Sequence, residues 1–121
     1  MKFVLFVGTG GFIGAVLRYL LSLWIIPKTN SVFPLSTLMV NITGCFLIGL
    51  LMGFCAKVQV PRAWELFIAA GILGGFTTFS AFSNETIFLF KEGSAGYALA
   101  YILSTVVLGL SATYVADLLV K

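Results

Sequence analysis

Gly74-Gly75-Phe76-Thr77-Thr78-Phe79-Ser80 interrupts a run that otherwise reads, over residues 63–90, as one apolar membrane-crossing helix. Glycine and β-branched threonine both lower helix propensity, so a Gly-Gly pair followed by two threonines makes a poor continuous helix. A broken membrane helix frees backbone carbonyls and amides, and without water these must find partners inside the protein. Freed carbonyls can hold a cation, and half-helix N-termini favour anions. A Gly pair also marks simple kinks. The Thr77-Thr78-Phe79-Ser80 run that follows is what points beyond one.

Around this stretch the chain calls for lipid. Of its 121 residues, 60% are hydrophobic and 9% charged, with a mean hydropathy of +1.13. Soluble domains are about one quarter charged, and a chain this short cannot hide so much apolar surface from water. Four apolar stretches, 3–26, 34–56, 63–90 and 96–120, each approach the ~20 residues that cross the hydrocarbon core. The first stops at Pro27-Lys28-Thr29-Asn30 and is too long for a signal-peptide core. Proline at position 34 suits the start of the second. The expected fold is a single domain of four transmembrane helices, neighbours antiparallel, with the third one broken near 74–80. Gly10 and Gly14, Gly49 and Gly53, and Gly71 and Gly75 show the four-residue spacing that lets membrane helices approach closely. Cys45 and Cys55 lie too far apart on one helix, roughly 15 Å of rise, for a disulfide.

Charge hardly decides the orientation. Lys2, Lys57, Arg62 and Lys121 fall on one side, and Lys28, Lys91 and Arg18 on the other. Loop charge normally fixes topology. A near-tie permits insertion both ways up, and hence an antiparallel homodimer, or a single weakly biased orientation.

Polar groups inside a span usually face the bundle interior or a water-filled path. Asn41, with Thr37 before it and Gly44 after it on a similar face, can donate to an anion or act as interhelical glue. Phe79 and Phe82 share a face of the second half-helix. Their rings either pack the core or turn positive edges toward an anion. Tyr101, Thr105, Gly109 and Thr113 form a stripe at four-residue spacing, with Ser104 and Ser111 near it. Its hydroxyls either replace part of an ion's hydration shell or bond back to the preceding turn. Glu85, the one acid well inside a span, can cap a polar cluster with Ser83, Asn84 and Thr86, though spacing leaves its role open. Arg18 reads as a base snorkelling to a membrane face, where it draws anions. Histidine is absent, and no paired carboxylates, metal-ligand cluster or activated nucleophile is present, which argues against an enzyme.

Three segments together resemble the Fluc (CrcB) family of bacterial fluoride channels: Gly11-Phe12-Ile13-Gly14-Ala15-Val16-Leu17-Arg18-Tyr19, Thr37-Leu38-Met39-Val40-Asn41, and Gly74 through Ser83. The resemblance spans nearly the whole chain in order, and the third segment is the most specific. It implies an antiparallel, dual-topology homodimer with two pores in the bacterial inner (plasma) membrane, exporting cytoplasmic fluoride passively. By position, Asn41 is similar to the pore-lining asparagine, and Phe79 and Phe82 to the phenylalanines whose edges contact fluoride. Gly74 and Thr77 match the residues whose backbone carbonyls hold a structural Na⁺ at the dimer centre. Tyr101 and Thr105 match a polar track on helix four with Glu85 beside it, and Arg18 matches a vestibule charge. Gly109 departs from the pattern, since some relatives carry a serine there. The rival reading, a small proton-coupled multidrug exporter, needs an acid in the middle of helix one, and the first span has no Asp or Glu.

Overall fold

A computed structural model describes residues 2–26 and 32–120. Residues 27–31, with the Lys28 of the charge tally, lie outside the described residues, as do Met1 and Lys121. The described residues form helix α1 (Lys2–Ile25), α2 (Leu35–Lys57), α3 (Arg62–Glu65), a π-helical segment (Leu66–Leu73), α4 (Gly74–Phe76), α5 (Phe79–Lys91) and α6 (Ala95–Leu119). Four helical runs are long and apolar enough to cross a membrane, with Arg62–Lys91 counting as one of 30 residues. The fold is all-helical and fits a multi-pass membrane protein.

Local chemistry explains the ends. Pro34 precedes α2, and its carbonyl accepts from the Leu38 amide at 3.2 Å. α5 closes on Gly93, whose φ of 79° suits a residue without a Cβ. There the Ser94 amide bonds the Leu89 carbonyl at 2.8 Å and the Gly93 amide bonds Phe90 at 3.2 Å, the paired C-terminal bonds of a Schellman turn. Within Arg62–Lys91, Thr77 (ψ 157°) and Thr78 (ψ 118°) have extended backbone. An eight-residue π-helix is long for a geometry that mostly appears as single-turn bulges.

Glycine faces bring the spans together. α1 packs on the π-helical segment and α4, while α2 packs on α6. A Cβ on Gly14 would overlap the Ile72 carbonyl and approach the Phe76 amide nitrogen to 2.8 Å. One on Gly71 would come within 2.9 Å of the Gly10 Cα. Gly49 meets Thr113 and Ala116 of α6 in the same way. Lipid gives helices no hydrophobic reason to associate, so close backbone approach must supply the contact. Large apolar side chains such as Phe12 (72% exposed) and Leu110 (70%) point outward, as a lipid-facing surface requires.

Gly14→Ala should therefore lower stability by about 1–3 kcal/mol, the usual range for overpacking. Gly8→Ala, with nothing within 4 Å of its added carbon, should not lower it, since alanine is the better helix former. Thermal unfolding of the two purified variants in detergent checks both.

Candidate functional site

The extended pair Thr77–Thr78 gathers polar groups from several helices. Asn41 of α2 bonds the Thr78 residue twice: its Nδ2 donates to the Thr78 carbonyl at 2.9 Å, and its Oδ1 accepts from the Thr78 amide at 2.8 Å. Only one orientation of the amide satisfies both bonds. Thr78 Oγ1 in turn accepts from the Ala81 amide at 3.2 Å and so caps α5. Thr77 folds its hydroxyl back onto the Leu73 carbonyl at 2.9 Å. Its methyl fills the space beside Gly44 that a Cβ would occupy. Glycine at 44 is thus what lets α2 approach the extended pair.

Two clefts flank this arrangement. One, of about 410 Å³, is lined among others by Asn41, Cys45, Gly74, Thr77, Thr78, Phe79, Phe82 and Thr105. The other, of about 370 Å³, is lined among others by Ser22, Ser36, Thr37, Glu85 and Phe88. Phe82 lines the first. Its ring packs on Phe79 with centroids 5.5 Å apart and on Tyr101 at 5.0 Å, both tilted. The buried Tyr101 donates its hydroxyl to Glu85 Oε1 at 3.0 Å, and Thr37 Oγ1 donates to Glu85 Oε2 at 3.1 Å. A chain of rings and hydroxyls therefore links the clefts.

The structure thus brings together Asn41, Gly74, Thr77, Phe79, Phe82 and Thr105 on one cleft, with Tyr101 and Glu85 behind Phe82. One expectation needs correction, and Arg18 and the helix-four stripe take partners that spacing does not show. Glu85 does not cap a cluster with its sequence neighbours: Ser83 and Asn84 are exposed, and Thr86 bonds the Phe82 carbonyl at 2.7 Å. Its partners come from α2 and α6, where the carboxylate meets donors able to reach it. Arg18 turns toward α4. It is half-buried and donates from Nε to the Gly75 carbonyl at 3.2 Å. The helix-four stripe divides. Thr113 bonds across to the Cys45 carbonyl of α2 at 2.9 Å, while Thr105 Oγ1 is buried with no hydrogen-bond partner among the described residues. Gly109 faces the Cys45 sulfur, 3.3 Å from where its own Cβ would lie.

Sequence reading missed Ser22 and Ser36, which bond each other at 2.9 Å on the second cleft. Their signal was present: both are hydroxyls inside apolar spans. Among the described residues no group of His, Cys, Asp and Glu could hold a metal ion.

Comparison with known proteins matches residues 5–116 to the family described as CrcB-like protein, Camphor Resistance (CrcB). The chain is similar to the fluoride-specific ion channel FluC of Rhizobium meliloti (strain 1021), 44% identical over 94% of this chain and 92% of that protein. It is 41% identical to the protein of the same name from Flavobacterium psychrophilum, over 100% of this chain and 98% of that one. With the one from Anaeromyxobacter sp. (strain K) it shares 43%, over 100% and 97%.

Because Asn41 holds both polar groups of Thr78, Asn41→Ala should cost about 1–3 kcal/mol, the penalty for unpaired buried polar groups. Amide exchange at Thr78 should accelerate, as read by hydrogen–deuterium exchange on the purified protein.

Proposed function

This chain belongs to the CrcB family, and from that premise we propose that it is a fluoride channel, not an enzyme, through which fluoride leaves the cytoplasm passively. The observation that carries the reading is the run of neutral groups from Asn41 and Thr78, past Phe79 and Phe82, to Tyr101 and Thr37. Fluoride is small and strongly hydrated. A pore for it must replace water with donors and still release the ion, which favours dipoles and ring edges over a cationic trap. Asn41 retains one N–H beyond its bond to Thr78, and Thr105 Oγ1 has no partner. Glu85 is the one carboxylate on the path. An arriving anion competes with it for the Tyr101 and Thr37 hydroxyls.

Phe79 is 77% exposed, so a wall on its far side has to come from outside the chain. An antiparallel, dual-topology homodimer in the bacterial inner (plasma) membrane supplies that wall and yields two pores. The near-even basic charge of the two sides supports insertion both ways up. In this reading the third span is a broken membrane helix. Its Gly74 and Thr77 carbonyls accept no hydrogen bond from side chains or inter-element backbone among the described residues, and Gly74 is exposed. Such hard oxygen donors without a carboxylate suit a structural Na⁺ shared by two chains, which would supply positive charge at the break. A proton-coupled exporter is disfavoured, since α1 carries no acid for coupling.

Phe82→Ile and Asn41→Asp should each cut fluoride efflux from proteoliposomes about tenfold or more, equivalent to about 1.4 kcal/mol on the barrier. A fluoride electrode reads the rate, and size-exclusion chromatography shows whether assembly is retained. Undiminished efflux in both variants removes these residues from the path.

A further inference from the structure

The extended residues Thr77 and Thr78 leave carbonyls of the preceding turn without helical partners, and in a membrane these must be met by other protein groups. Leu73 is met locally, by the Thr77 amide and hydroxyl. Gly75 is met from another helix: Arg18 of α1 donates from Nε at 3.2 Å.

The packing of α1 builds this bond in. A Cβ on Gly75 would lie 3.0 Å from the Gly11 Cα and 3.2 Å from the Ala15 nitrogen, so α1 crosses directly over this peptide. Side chains on a helix lean toward its N-terminus and cover the turn before their own Cα. A side chain at position 18 therefore reaches the level of Ala15, where Gly75 sits. Of the three Arg18 guanidinium nitrogens, Nε is the one with a hydrogen-bond partner among the described residues. A residue placed only to present charge has no need of this contact.

We propose that Arg18 is a positioning residue for conduction: its Nε–H holds the Gly75 carbonyl, and through that peptide it sets the direction of the Gly74 and Thr77 carbonyls and the seat of Phe79. The donor at that place matters, and the charge behind it does not. This inference rests on the fluoride-channel reading and adds a second clamp, from α1, to the one that Asn41 provides from α2.

Side-chain chemistry separates donor from charge. Glutamine bears its N–H₂ on Cδ, the atom to which arginine Nε is attached, so it offers a neutral donor at the same reach. Lysine keeps the charge, but its N–H donors sit one bond beyond the place of Nε. Methionine keeps comparable length and offers neither.

The test compares the parent with Arg18→Gln, Arg18→Lys and Arg18→Met, by fluoride efflux from vesicles at low and high ionic strength and by amide exchange across residues 74–82. Arg18→Met should lose about tenfold or more in efflux, the scale of one lost hydrogen bond, with faster exchange across 74–82. Arg18→Gln should recover most of both at either ionic strength. If Arg18→Lys retains efflux and Arg18→Gln loses it, and high salt lowers the parent's rate to match, Arg18 is an anion-attracting charge and the proposal is overturned. Equal efflux and exchange in all four proteins overturns it as well. Should Arg18→Met fail to fold, the order of Gln against Lys decides. Should the parent pass no fluoride, the channel reading fails, and the exchange data alone judge Arg18.

Discussion

A peptide group in hydrocarbon has no water to bond, and that constraint organises this molecule around Thr77 and Thr78. Two extended residues between α4 and α5 leave amides and carbonyls that helical backbone would have paired internally. Each neighbouring helix answers part of the demand. α2 sends Asn41 to both polar groups of Thr78, and α1 sends Arg18 to Gly75. Thr77 and Thr78 then satisfy Leu73 and Ala81 with their own hydroxyls. Polar residues that look misplaced in a list of spans become necessary once those backbone groups are counted.

That arrangement depends on close packing, which glycine provides. α1 reaches the Gly75 carbonyl because Gly10, Gly11 and Gly14 let it lie against Gly71 and Gly75, backbone on backbone. α2 reaches Thr78 because Gly44 leaves room for the Thr77 methyl. Packing and polar chemistry are thus one design here. The same approach of helices also brings α5 and α6 together where Phe82, Tyr101 and Glu85 meet.

Much of this could be read before any coordinates. Four runs of apolar residues about as long as the bilayer is thick define the spans. Glycines at four-residue spacing mark the faces that come together. Asn41 stood out because an amide in hydrocarbon demands a reason, and glue to Thr78 is the part of that reason the structure supplies. What stayed hidden is pairing across helices, since spacing along one helix says nothing about its neighbours. Glu85 was set beside Ser83, Asn84 and Thr86, yet it bonds Thr37 and Tyr101, which are distant in sequence. Arg18 reads as a snorkelling base, and an isolated charge offers no hint of the Gly75 carbonyl it bonds on another helix. The π-helical turns from Leu66 to Leu73 gave no signal either. An unbroken apolar run looks the same whether its amides bond four or five residues back.

The account makes the polar atoms between the clefts substitutes for the water that a small anion leaves behind. It is tested most directly by setting anion gradients across vesicles containing the purified, unmodified protein and recording fluoride and chloride release separately. Rapid fluoride discharge, with chloride retained, is the predicted result. Vesicles that hold fluoride despite correctly folded protein, or that release both halides alike, would contradict it.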